Sequence, residues 1–152
     1  MTPRIRRATT GDEAALLAMV ERMADFAVPH WRAAREIIEA DGRDVVRAVT
    51  TGEPDHDVFI AEVDGIPAGC LYVHPAQDFF GRRHAHISVI ATTSAAEGTG
   101  VGRALMAHAE TWARERGLSL LTLNVFAANT RARHFYERGG FEVEMVKYAK
   151  EV

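Results

Sequence analysis

The chain has 152 residues, 47% hydrophobic and 26% charged, with a formal net charge of -3, enough for one domain with a single core. That balance argues against a nucleic-acid binder. No apolar run approaches the ~20 residues of a membrane helix, and residues 1–7 lack a signal-peptide stretch, so a cytoplasmic protein is the simplest expectation. Cys70 is the single cysteine, which excludes an internal disulfide, and its apolar setting reads as a small core residue.

A first short strand is expected over residues 4–8. Thr10 reads as a helix N-cap, with Glu13 completing a capping box. Leu16, Val20, Met23 and Ala27 then recur at helical spacing until Pro29 ends the run. Trp31, Ala34 and Ile38 open a second helix, which Asp41-Gly42 is expected to bend or end before Val45, Val46 and Val49 resume a helical face. Residues 51–54 are a loop. Residues 57–63 read as a strand, Asp64-Gly65 as a hairpin turn and residues 68–74 as the returning strand. A loop over 75–83 carries Phe79-Phe80-Gly81, and the next strand spans 84–92. A helix is expected over 101–116, with Val101, Leu105, Ala109 and Trp112 on one side and Gly117 just past its end. The apolar run 118–126 suits a strand covered on both faces. Asn129 caps a short helix with Ala132, Phe135 and Tyr136 inward, Gly139-Gly140 ends it, and 141–149 form a last strand. The order β-α-α-β-β-β-α-β-α-β defines a single α+β domain over 1–152, its sheet antiparallel at first with a parallel crossover later.

The stretch with the most chemical content is Glu97-Gly98-Thr99-Gly100-Val101-Gly102. A strand, a glycine-rich turn and a helix start in that order make an anion site. The glycines let backbone approach a phosphate, and the first helical N–H groups have no internal partner. A P-loop is excluded because no Lys-Ser or Lys-Thr follows, and a dinucleotide fingerprint is excluded by the spacing G-x-G-x-G late in the chain. By itself the triplet also fits a plain flexible turn.

Together with the closing block Asn129-Thr130-Arg131-Ala132-Arg133-His134-Phe135-Tyr136-Glu137-Arg138-Gly139-Gly140-Phe141, this stretch resembles the GNAT superfamily of N-acetyltransferases. The first run is similar to that family's [Q/R]-x-x-G-x-[G/A], and the second to its N-x-x-A-x-x-x-Y-x-x-x-G-F. The resemblance implies a three-layer fold with a mixed central sheet of about six or seven strands flanked by about four helices. It also implies an enzyme using acetyl-coenzyme A, with no metal, to acetylate a primary amine by direct attack through a tetrahedral intermediate. Carried over, Gly98, Thr99, Gly100, Val101, Gly102 and Arg103 bind the pyrophosphate. Ile90, Ala91 and Thr92 hydrogen-bond the pantetheine arm, and Asn129 faces that arm. The strand from Leu118 splays away to open a slot for the thioester. Glu97 departs from the pattern, standing where the family usually has Gln or Arg. A carboxylate beside a pyrophosphate is repelled unless it points elsewhere. The alternative on the same fold is a non-catalytic acyl-coenzyme A sensor.

Such chemistry needs a proton acceptor, because an amine of pKa ~10.4 is mostly charged at neutral pH. Tyr136 matches the family tyrosine near the coenzyme sulfur and is the candidate acid. Many relatives carry a glutamate where Ser88 stands here. Strand alternation puts His84, His86 and Ser88 on one face and Ala85, Ile87 and Val89 on the other. His86 is therefore the candidate base, against readings as a hydrogen-bonded polar residue, as half of a metal pair with His84 lacking a third ligand, or as a bystander to a water chain. Arg131 and Arg133 are able to reach coenzyme phosphates or to lie solvated on the surface. The acceptor is a small-molecule or peptide amine, and a homodimer is common among relatives.

Overall fold

The computed structural model describes residues 2–152. Strand β1 (Arg4–Arg7) leads into a 3-10 turn (Thr10–Asp12), helix α1 (Glu13–Val20), a second 3-10 turn (Glu21–Ala24) and helix α2 (Ala34–Thr51). Strands β2 (Asp57–Val63), β3 (Ile66–Gln77) and β4 (Arg83–Thr92) follow, then helix α3 (Val101–Glu115), strand β5 (Leu121–Leu123) and helix α4 (Thr130–Arg138). The sheet has five strands in the order β1-β2-β3-β4-β5, against the six or seven expected. β1 to β4 pair antiparallel, and β4 pairs parallel with β5 across the α3 crossover.

Two cores sandwich the sheet. On one face Leu71, Val73, Ala85 and Ile87 pack against Val101, Leu105, Met106, Ala109, Trp112 and Ala113 of α3. On the other, Ile60, Cys70, Tyr72, Val89 and Ala91 pack against Leu16, Met19 and Val20 of α1 and Val45 and Ala48 of α2. The expected inner stripe of α3 is therefore its buried face, and Cys70 is a buried core residue whose thiol burial pushes up to about 12. α3 sits close to the sheet because β3 carries Gly69. A Cβ there would lie 2.9 Å from both Leu105 Cδ1 and Val101 Cγ1.

Several local expectations shift. The capping interaction lies one residue earlier than expected: Thr9 N–H donates to Asp12 Oδ2 at 2.7 Å, and Arg6 holds that carboxylate at 2.8 Å. Asp41-Gly42 does not interrupt α2, which runs through it for 18 residues. Gly42 is instead where α1 approaches most closely, since a Cβ would meet Leu17 Cδ2 at 3.0 Å. The hairpin strands β3 and β4 extend further than expected, leaving Phe79 and Phe80 exposed in the connecting turn.

The largest corrections lie after α3. The run 118–126 yields a strand only over Leu121–Leu123. Its start closes α3, where Leu118 N–H donates to Ala113 O, and its end turns into α4, where Asn129 N–H donates to Phe126 O. Residues 141–149 form no strand. Phe141 packs on Tyr136, but Val143, Met145, Val146 and Tyr148 are exposed. A strand exists by pairing, and among the described residues this segment pairs with none of the five strands.

Candidate active site

The glycine-rich loop has the geometry of an anion cradle. After β4, Thr93 Oγ1 accepts from Ala96 N–H at 3.3 Å and turns the chain. Gly98 and Gly100 then take φ values of +72° and +93°, in the left-handed region where a side chain is strained. A Cβ at either would meet nothing within 4 Å, so the loop's outer surface is open. No side chain caps α3 and no acidic residue lies in its first turn. Among the described residues, the N–H groups of Gly98, Gly100, Val101, Gly102 and Arg103 donate to no protein acceptor. Such an array, with the positive end of the helix dipole behind it, favours a phosphate. Gly102 has a different reason. Phe135 of α4 would lie 3.3 Å from its Cβ, so the missing side chain lets α4 press onto the first turn of α3.

Glu97 does not face this array alone. Arg22 Nη2 donates to its Oε2 at 2.7 Å, and Arg131 pairs with Oε1. The carboxylate thus clamps a residue beyond α1 to a residue of α4 across the mouth of the loop. Arg131 is held there rather than free, while Arg133 donates to Ala127 O at 3.1 Å. Arg22 Nη1 is buried and has no hydrogen-bond partner among the described residues.

Beside the loop the sheet opens. β4 pairs with β5 only at Ala85, His86 and Ile87, opposite Leu121, Thr122 and Leu123. β4 runs on to Thr92 without that neighbour, so Ile90, Ala91 and Thr92 have no strand partner on the β5 side while still pairing with β3. At this fork the β3–β4 register slips. Tyr72 pairs with Val89 and Val73 with Ile87, leaving Ser88 as an unpaired bulge residue. The bulge reverses the alternation beyond it. Ala85 and Ile87 share a face as expected, the one covered by α3, but Val89 joins Ala91 on the opposite side.

On the α1/α2 face, at the end where the apolar packing stops, a polar cluster lines the sheet. His86 Nδ1 lies 2.7 Å from Thr122 Oγ1, whose hydroxyl hydrogen has Ala85 O as acceptor at 3.4 Å. His74 bonds Ser88 and the Pro75 carbonyl. His56 stacks on His74 with centroids 4.9 Å apart and bonds the Tyr72 hydroxyl at 2.8 Å. Burial first, then His74 and His84, lowers the pKa of His86 to about 4, so it is a neutral imidazole at physiological pH. His84 is buried, its Nδ1 3.3 Å from Arg82 O. No group of three or more His, Cys, Asp or Glu among the described residues is arranged to hold a metal.

Tyr136 approaches from the other side of the sheet. It stands on α4 between Phe135 and Phe141, and burial pushes its phenol up to about 12. Asn129 is the cap of that helix, its Oδ1 accepting from Ala132 N–H at 3.3 Å. The sequence-based reading therefore finds the glycine loop, Asn129, Tyr136 and His86 on the elements expected. It misses His74, His56 and Thr122. Period-two alternation through Tyr72 would have put His74 on its face of β3, but its pairing with Ser88 depends on a bulge that no local pattern announces.

These features together define an α+β fold with an open, glycine-rich anion cradle at one end of β4. The acetyltransferase (GNAT) family pattern matches residues 18–141, and the chain belongs to that family. It is similar to the mycothiol acetyltransferase of Propionibacterium freudenreichii, at 41% identity over 88 residues, covering 58% of this chain and 23% of that protein. The matched stretch is thus about a quarter of the curated relative's length. Among solved structures it resembles a transcriptional regulator from Bacillus halodurans C-125, at 25% identity and TM-score 0.73 over 99% of both chains. It also shares the fold of an aminoglycoside acetyltransferase from an uncultured soil metagenomic sample, at 16% identity and TM-score 0.68, covering 99% of this chain and 97% of that one.

Proposed function

We propose that this chain transfers the acetyl group of acetyl-coenzyme A to a primary amine on a small molecule or peptide. The observation that carries the reading is the fork in the sheet. β4–β5 pairing ends at Ile87, and β4 continues alone to an uncapped helix N-terminus. In this reading the amides of Gly98 to Arg103 hold the pyrophosphate, with Thr99 in the loop between them. Ile90, Ala91 and Thr92 offer main-chain groups to the pantetheine arm, and Asn129 borders it. The donor supplies an activated acyl carbon, and the fork gives the amine a path to it from the histidine-lined face. Tyr136, kept protonated by burial, is suited to give a proton to the departing sulfur. His86, kept neutral by burial, offers the amine a hydrogen-bond acceptor. Pairing with Arg22 and Arg131 removes the objection that Glu97 repels the diphosphate. A single buried cysteine suits a cytoplasmic setting, and a homodimer belongs to the same proposal.

The test mixes the protein and acetyl-coenzyme A with a panel of aminoglycosides, polyamines, amino acids and peptide N-termini, and follows thiol release. Calorimetry with coenzyme A runs in parallel. Amine-dependent release supports the reading. Coenzyme binding without turnover of any amine selects the sensor alternative, and absence of both rejects the coenzyme site.

A further inference from the structure

We propose that Ser88 and His74 form a proton-relay pair that accepts the proton of the incoming ammonium, Ser88 touching the amine and His74 storing the charge. This rests on the transferase reading and assigns that reaction's proton acceptor to residues outside the expected set.

Hydrogen bonding fixes the direction of the relay. His74 Nδ1 lies 2.8 Å from the Pro75 carbonyl, which only accepts, so Nδ1 carries the ring hydrogen. In the neutral ring Nε2 is then the lone-pair nitrogen, and Ser88 Oγ–H donates to it across 2.7 Å. The serine's remaining lone pairs are free to accept from an ammonium N–H. A serine alone is no base at neutral pH, but one whose proton already points at an unprotonated imidazole passes basicity forward.

Position adds a second argument. Ser88 is the bulge residue, one step beyond Ile87, where β4 parts from β5. The bulge leaves this residue unpaired where β4 and β5 part, with its hydroxyl against His74 of β3. The ring it meets is held on every side: His56 stacks on it with the planes 3° apart, Tyr72 lies with its centroid 5.1 Å away, and His86 lies at 5.6 Å. The Glu53 carboxylate lies 3.5 Å from His56 Nε2. Arg47 and Asp44 act on Tyr72 from α2.

The step balances without a co-reactant. The ammonium gives one N–H proton to Ser88 Oγ as the Ser88 hydroxyl proton moves to His74 Nε2. A neutral amine and a His74 imidazolium result. The imidazolium keeps its Nδ1–H bond to Pro75 and later returns its extra proton to solvent.

The experiment compares the native protein with Ser88→Ala, His74→Gln and the double variant. Each single change should lower kcat about 10²-fold, the low end for a lost acid–base group, with coenzyme A affinity unchanged by calorimetry. The double variant should be no slower than either single one, because the two groups act as a unit. The acidic limb of the native kcat–pH profile should disappear in all three. Side-chain nitrogen NMR of the native protein gives a readout free of turnover: His74 should carry its proton on Nδ1, and Ser88→Ala should shift its Nε2 signal. A proton on Nε2, a native rate and pH profile in His74→Gln, or an acetyl group trapped on Ser88 would each overturn the relay while leaving the transferase reading intact. A native enzyme that turns over no amine overturns both.

Discussion

The two faces of the sheet are built on different rules. The α3 face is dry. Its strands and helix meet through aliphatic side chains, Gly69 allows the close approach, and its one buried carboxylate is fully paired. That carboxylate, Asp57, accepts from Trp112 Nε1 at 2.8 Å, Arg7 Nη1 at 2.6 Å and Arg116 Nη2 at 3.2 Å, tying the end of α3 to β1 and β2. The α1/α2 face is dry only where the two helices cover it. Toward the fork it changes to His56, Tyr72, His74, His86 and Ser88, whose polar atoms bond one another, the Pro75 carbonyl or Thr122 Oγ1. One face thus carries the helix with the uncapped N-terminus, and the other carries the histidine cluster. Substitutions in the aliphatic packing of the first should register as stability, and those in the histidine cluster, or at Tyr136 on α4, as rate.

The sharpest way to break that contrast is Leu105→Ala. Leu105 is fully buried between α3 and the sheet, and the change should cost about 2–5 kcal/mol, read as a lower denaturant midpoint. A loss of activity with unchanged stability would mean the face is not merely structural. Next comes Tyr136→Phe, which keeps the ring between Phe135 and Phe141 but removes the proton. It should lower kcat about 10²-fold, roughly 2.7 kcal/mol, with little change in melting temperature. An unchanged rate removes Tyr136 from the mechanism.

Asp57→Asn should cost about 1.5–3 kcal/mol, because charge-assisted bonds to Arg7 and Arg116 weaken while Trp112 keeps an acceptor. The sign of its pH dependence follows from its environment. Burial by itself would raise the Asp57 pKa, but Arg7, Trp112 and Arg116 outweigh it and hold it below the ordinary carboxylate value. Its stabilisation is therefore fully present above the unfolded-state pKa of ~3.9 and is lost as pH falls through the lower folded value. Melting curves of native protein and Asp57→Asn should differ at pH 7 and converge in acid. The smallest effect belongs to Phe80→Ser, in the exposed turn outside both faces. It should change stability by less than about 0.5 kcal/mol, and a large change in acceptor KM would show that this turn reaches the substrate.

How much of this was legible in the sequence varies by element. Gly98, Gly100 and the helix after them were readable because left-handed φ values and an uncapped helix start are written in neighbouring residues. Asp64-Gly65 and Gly117 were readable for the same reason. The stop expected at Asp41-Gly42 did not occur, since packing of α1 on Gly42 overrides a local break. The run 141–149 alternates like a strand, yet alternation cannot supply the partner that a strand needs. His86 was placed on its face by alternation that holds only up to the bulge, and Val89 just beyond it was not.

Sequence alone determined the glycine cradle and the helix that follows it, because each is set by residues within a few positions of one another, and it pointed to the family through two such local motifs read together. Tertiary structure decided where β5 leaves β4, that Glu97 binds arginines, and that His74 meets Ser88. Those outcomes depend on register between strands and on side chains from distant segments, which no local run of residues encodes.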